Sequence, residues 1–257
     1  MLGEFVYPTG GSVWTSTIVA GLDTVGISEA NARQAVARLG EQGIVLAERV
    51  GRRSRWHLTE RGTELLATGS ERIYSFGRGT DRWDQRWLLV TCSIPETQRA
   101  TRHRFRSELT FAGFGFLTPT MAVSPHPDRE PLANAVITEL GLADTAMTFV
   151  ASTGSITPDT GVLAAAWDLD AVTDAYTEFL DEFAAPSSGD SPAASFGTVL
   201  RLVDAWRRFP FIDPELPSAL LPDGWIGAQA LEVFERRRAA ERSLAVAWFD
   251  AAEADAS

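Results

Sequence analysis

"SEANARQAVARLGEQGIVLAERVGRRSRWHLTERG", residues 28–62, decides the fold class, because its hydrophobic period changes from helical to extended halfway along. Ser28 stands where a helix N-cap belongs, and Glu29 complements the positive end of the helix that follows. Ala32, Ala35, Val36 and Leu39 recur on one helical face, Asn31, Gln34 and Arg38 fall on the opposite face, and Arg33 sits at the margin. After Gly43, "IVLAERV" and "SRWHL" alternate as strands around a turn at "GRR", and Thr59 opens another helix expected to reach about Phe76. Upstream, "SVWTSTIVAGL" (12–22) reads as a short helix capped by Ser12, joined to the next by the tight connection "DTVGI". Helix, helix and hairpin predict a winged helix-turn-helix over residues 1–80, with a boundary at "GRGTD" (77–81).

The 257 residues exceed one domain of ordinary size, so two or three domains are expected. With 45% hydrophobic and 22% charged residues, and no apolar run near the ~20 residues that cross a bilayer, a soluble protein without membrane contact is expected. The first 20 residues lack the basic start and apolar centre of a secretory signal, and Cys92 is the only cysteine, which points to a reducing cytoplasm. Net charge is −11, and all 23 cationic side chains are arginines. The acidity is uneven: residues 1–87 hold 11 Arg against 10 Asp and Glu, and the remainder 12 against 24. Between Arg33 and Arg61, seven arginines meet three glutamates, a local +4 able to feel phosphates that the rest of the chain repels.

Farther along, "RWLLVTCSI" (86–94) reads as a strand, "ETQRATRHRFRSELTFA" as a helix and "GFGFLTPTMAVSP" as an apolar, glycine-punctuated strand or hairpin. A helix near "EPLANAVITEL" and a strand near "AMTFVAS" follow. That order predicts a small antiparallel sheet with helices on one face, a ferredoxin-like domain over residues 81–160. Residues 161–257 read as a helical domain: "DAVTDAYTEFLDEF", the linker "APSSGDSPAAS", "FGTVLRLVDAWRRF", a proline-rich turn, and a last helix from about Trp225 to Asp250. The fold class is α+β.

A DNA major groove admits one helix, and its base edges are read by Arg on guanine and by Asn or Gln on adenine. Asn31, Gln34 and Arg38 are those residue types on an outward face, while Ser28 and Arg33 stand within reach of phosphates. Any solvated helix shows polar residues outward, so the helix alone settles nothing. The neighbouring hairpin adds Arg52, Arg53 and Arg55, cations suited to the backbone or minor groove, although an arginine-rich surface turn would look the same.

Several stretches lift the pattern above the generic: "PTGGSVWTSTIVAGL", "GISEANARQAVARL", "RVGRRSRWHLTERG" followed by "RIY", "RWDQRWLLV", "FRSELTFAGFGFLTP" and "FPFIDPELPSALLPDGWIGAQALEVF". In content and order they resemble the PaaX family of bacterial repressors of phenylacetate catabolism, over about residues 5–245. The resemblance implies an N-terminal winged helix, a central ferredoxin-like domain similar to the small CRISPR adaptation nucleases, and a helical C-terminal domain. It also implies a homodimer that represses from double-stranded DNA and is released by an aryl-acyl-CoA, phenylacetyl-CoA in the best-known branch. Family members begin with an apolar helix running into the segment here written "MLGEFVYP", so this chain is expected to start partway through that helix, with less buried apolar area in its first domain.

Arg99, Arg102 and Arg106 share a helical face beside Phe105, Leu109 and Ala112, a basic stripe where a CoA phosphate could land or where acids of another domain could pair. No resident cofactor or metal is expected. Nuclease relatives of the central domain need a carboxylate at the end of the first strand to hold a divalent cation. Here the strand reads "LLVTCSIPE", with Glu96 better placed in the following helix. His57, His103 and His126 lie in separate elements, Cys92 reads as a core residue, and neither a phosphate loop nor a Rossmann glycine fingerprint occurs. Trp83, Trp87, Trp206, Trp225 and Trp248 could line an aryl pocket or anchor helices. The expectation is a non-enzymatic, effector-released repressor, with a metal-dependent nuclease and an effector-independent DNA-binding module as alternatives.

Overall fold

In a computed structural model, which describes residues 1–78, 83–186 and 191–257, the chain is α+β with two antiparallel sheets and divides into two compact units. The first unit combines Met1–Ser75 with Phe179–Arg207 and Ala230–Ser257; the second combines Phe76–Glu178 with Arg208–Gln229. Residues Gly79–Asp81 of the boundary marked by "GRGTD", and Ser187–Asp190 of the serine-rich linker, lie outside the described residues.

The first unit opens with a helical turn, Leu2–Val6, that buries Phe5 and Val6. Strand β1 (Ser12–Trp14) precedes helices α1 (Thr15–Asp23) and α2 (Glu29–Glu41), strands β2 (Val45–Val50) and β3 (Arg53–Leu58), and helix α3 (Glu60–Ser75). The helix expected to begin at Ser12 is therefore corrected: its first three residues are a strand paired with β3, Val13 opposite Trp56, and α1 starts only at Thr15. Burial explains the change, because extended backbone places both Val13 and Trp14 in the interior while the strand pairs with β3. The sheet order is β1-β3-β2. Gly62, at the start of α3, packs against the chain entering β2 so closely that a Cβ there would lie 2.1 Å from the Ile44 carbonyl oxygen.

C-terminal helices complete this unit. The end of α7 (Leu169–Phe183), α8 (Pro192–Trp206) and most of α10 (Ile226–Ala256) belong to it. Ser191 caps α8 by accepting the Ala194 N–H at 3.2 Å, so the expected linker ends earlier than Ser195; α10 runs six residues past the expected Asp250. Phe196 of α8 is fully buried, 4.5 Å from the Phe5 ring and 4.2 Å from that of Trp248, in one cluster with Val13, Ile18, Val36, Ile44, Val199 and Phe249. A polar tie lies nearby. Buried Glu4 accepts the Tyr74 hydroxyl and faces Arg238 at 2.9 Å and Arg242 at 3.5 Å. Burial, and then the Glu4 charge, push the Tyr74 phenol well above its ordinary range.

In the second unit, β4 (Trp87–Cys92) leads through a 3₁₀ turn at Glu96–Gln98 into α4 (Arg99–Phe111), then β5 (Gly115–Thr118), β6 (Met121–Ser124), α5 (Glu130–Glu139) and β7 (Ala146–Ala151). The sheet order is β5-β6-β4-β7, every pair antiparallel. Strand alternation puts Leu88, Val90 and Cys92 under α4 and α5, against Phe105, Leu109, Ala133 and Ile137. The alternate residues Trp87 and Leu89 face Val162 and Leu163 of α6 (Asp159–Ala166), an unanticipated helix, together with Leu216 and Leu220. The short α9 (Phe209–Ile212) stacks Phe209 on Tyr176, centroids 4.1 Å apart. No described helix is long and apolar enough to cross a membrane.

Truncating Phe196 removes a ring that several segments share, so Phe196→Ala should cost about 3–5 kcal/mol. Denaturant unfolding checks this. A fragment ending at Arg78 should lack cooperative unfolding, since its core would face water where α8 and α10 now lie.

Candidate nucleic-acid interface

Ser28 adopts extended backbone and accepts the Asn31 N–H at 3.4 Å, which starts α2 where the sequence placed it. The preceding turn is closed by Gly26, with φ 78, donating to Asp23, and by Ile27 donating to Leu22. Ala32 and Val36 are buried, and Asn31, Arg33, Gln34 and Arg38 are exposed on the other side. Arg33 is engaged by Glu29 at 2.7 Å, one helical turn earlier. Gln34 and Arg38 make no side-chain hydrogen bond or ion pair among the described residues.

The hairpin closes through Gly51 and Arg52 between the paired Val50 and Arg53, and the left-handed φ of 61 at Gly51 is what lets two residues turn the chain. Arg52 is exposed at the tip with no partner among the described residues. Arg49 donates to the Gly51 carbonyl at 3.4 Å, and His57 meets Glu48 at 2.7 Å. The other two wing candidates turn away from the tip. Arg53 donates through Nη1 to the main-chain oxygens of Ala256 (2.7 Å) and Ser257 (2.5 Å). Arg55 lies 5.2 Å above the Trp14 ring and 3.9 Å from the Glu253 carboxylate. Glu253 and the end of α10, some 200 residues away in sequence, thus belong to this surface, and no local pattern in the sequence signals them.

The stripe on α4 divides. Arg99 and Arg102 both pair with Glu96, at 3.1 and 2.7 Å, and Arg102 also donates to the Ile94 carbonyl. The hydrogen bond and charge of Arg102, and then the bond from Arg99, hold the Glu96 carboxyl below the usual carboxylate range. Arg106 stands apart, its guanidinium 4.4 Å over the Phe116 ring, at an open cleft of ≈ 1600 Å³ bordered by Trp83, Trp167, Leu163, Phe211 and Arg208. Asp159, Asp168 and Asp170 border the same cleft, so its wall carries both signs. Of the other tryptophans, Trp206 stacks on Phe234, Trp248 packs on Phe196 and Trp225 meets Tyr176 edge-on. Cys92 is buried and its thiol lies 3.5 Å from the Thr145 hydroxyl. His126 bonds to the Glu215 carbonyl at 2.9 Å, and among the described residues no three His, Cys, Asp or Glu side chains gather as metal ligands.

The chain thus holds an exposed polar helix beside an arginine-tipped hairpin in its first unit and a four-stranded antiparallel sheet in its second. Sequence models of one family match in succession: PaaX-like protein over residues 1–62, PaaX protein central Cas2-like domain over 80–163, and PaaX-like protein C-terminal domain over 167–251. The chain belongs to the PaaX family. A curated relative, the transcriptional repressor PaaX of Escherichia coli (strain K12), is 28% identical over 245 residues, covering 91% of this chain and 75% of that one; it is named for repression and not for catalysis. A solved structure, uncharacterized protein Rv0674 from Mycobacterium tuberculosis, superposes with a TM-score of 0.60 at 20% identity, covering 92% of this chain and 90% of that one, which speaks for the fold alone.

Losing the α2 cap leaves an orphan N–H at an exposed helix end. Ser28→Ala should therefore lower stability by about 0.5–1 kcal/mol, and Ser28→Gly by only a few tenths, in thermal unfolding.

Proposed function

We propose that the chain is a DNA-binding transcriptional repressor of an aromatic-acid, phenylacetate-type catabolic operon, released from its operator by an aryl-acyl-CoA. The observation that carries this reading is the exposed face of Asn31, Gln34 and Arg38 next to the free Arg52 of the hairpin, in a chain of the PaaX family. Residues 1–80 act as a winged helix-turn-helix, with α2 as the helix that enters the major groove and the β2–β3 hairpin as the wing. Residues 81–160 act as a ferredoxin-like module; the strand-helix-strand-strand-helix-strand order and the sheet order β5-β6-β4-β7 support that. Residues 161–257 supply the C-terminal helices.

The roles divide by chemistry. Asn31, Gln34 and Arg38 read base edges, and Ser28, Arg33 and Arg52 meet phosphates, with Arg53 and Arg55 as further wing cations. A homodimer places two such helices on a two-fold operator. The protein works in the cytoplasm. Release is a linkage effect: an acyl-CoA that binds the DNA-free form better lowers operator affinity by the ratio of its two affinities. Among Arg99, Arg102 and Arg106, only Arg106 borders the aromatic cleft, which favours that cleft for the effector; Arg99 and Arg102 spend their charge on Glu96.

Footprinting upstream of the neighbouring genes, with and without a panel of CoA esters, tests the proposal; protection lost with one aryl-acyl-CoA is the expected result. Cleavage of labelled duplex that needs magnesium or manganese would establish a nuclease instead, and binding indifferent to every thioester an effector-independent module. Arg52→Ala should weaken random and operator DNA alike and flatten the dependence of log K on log salt by about 0.9. Gln34→Ala should cost about 1–3 kcal/mol on operator DNA and relax preference at one base position, leaving random DNA unaffected.

A further inference from the structure

The end of α10 touches the first sheet through Arg53, Arg55 and Trp14, and α1 through Thr17. Arg53 donates to the main-chain oxygens of Ala256 and Ser257; Glu253 lies 3.9 Å from Arg55 with one carboxylate oxygen and accepts the Trp14 N–H at 3.0 Å with the other; Thr17 donates to the Ala252 carbonyl at 3.2 Å. A helix C-terminus gathers unpaired carbonyl oxygens and the negative end of the helix dipole. With Glu253 added, α10 offers Arg53 and Arg55 what a phosphate offers: acceptor oxygens in a negative field.

We propose that the last turn of α10 is an autoinhibitory contact, which keeps Arg53 and Arg55 from the phosphate backbone when the hairpin docks and frees them for it only once the contact is broken. This rests on the reading of the hairpin as a phosphate-binding wing. The exchange replaces one set of acceptors by another and moves no proton, since a guanidinium stays charged throughout. Arg52, outside the contact, makes the first encounter. Arg53 and Arg55 add their charges only when α10 lets go, so duplex affinity is set by competition between the helix end and the phosphates for the same two side chains. A brace that merely held the hairpin in shape would act in the opposite direction, because its loss would weaken binding.

The test uses the full chain with a 30-base-pair random duplex, followed by fluorescence anisotropy across a salt series. Glu253→Gln keeps an acceptor for the Trp14 N–H and removes the charge near Arg55; it should bind about threefold more tightly with an unchanged thermal midpoint. Glu253→Gln combined with a chain shortened to end at Asp255 should bind about tenfold more tightly and steepen the salt slope by about 2, the value for two added phosphate contacts. Adding Arg53→Ala and Arg55→Ala should erase that gain, whereas Arg53→Ala in the unaltered chain should change affinity less than twofold. Binding by the unaltered chain with no gain, or a loss, in a folded Glu253→Gln variant overturns the autoinhibitory contact alone. No duplex binding by either the unaltered or the released chain overturns the DNA-binding reading and the contact with it.

Discussion

The first unit depends on one packing event, the burial of Phe196 among Phe5, Trp248 and Phe249. Residues 1–75 carry the polar helix and the hairpin, yet their apolar side chains do not enclose a core by themselves. Val13, Ile18, Val36 and Ile44 reach close packing only because α8 and α10 bring Phe196, Val199, Ala245 and Phe249 against them. A small helix-and-hairpin assembly of this size buries too little area for comfortable stability alone. The C-terminal helices are thus part of the platform that presents α2 and the hairpin, and the Glu4, Tyr74, Arg238 and Arg242 cluster ties the same segments by charge and hydrogen bonding.

What was legible in the sequence is what depends on local period. The face of α2 that buries Ala32 and Val36 and its Ser28 cap stand in the structure where residue spacing put them, and the turn expected at "GRR" is there in Gly51 and Arg52, with Arg53 already opening β3. Strand β1 was not legible: three residues running straight into a helix give no alternation to read, and only pairing with β3, more than 40 residues later, makes them extended. Helix α6 was hidden for a similar reason, since "DTGVLAAA" follows a proline and has a weakly two-sided pattern. The candidate site was legible in its cations and not in their partners. Nothing near Arg53 in sequence announces Ala256, and nothing near Arg55 announces Glu253.

Electrostatics connects these elements. The chain is acidic, and its acids are distributed so that particular arginines are neutralised while others are left out. Glu29 takes Arg33, Glu96 takes Arg99 and Arg102, and the end of α10 takes Arg53 and Arg55. Among the described residues of α2 and the hairpin, Arg38 and Arg52 remain without a partner, on the helix and on the hairpin tip. In a family represented by a named transcriptional repressor, the cations a chain leaves unpaired say more about contact with a polyanion than the total it contains.

Cys92 lies in the central strand of the second sheet, sealed beneath α4 and α5, and the chain has no other thiol. A sulfhydryl reagent can therefore modify the native protein only during excursions that open that sheet. The labelling rate becomes a clock for breathing of the second unit that registers nothing from the first, so a small molecule that tightens the sheet would announce itself by slowing the reaction.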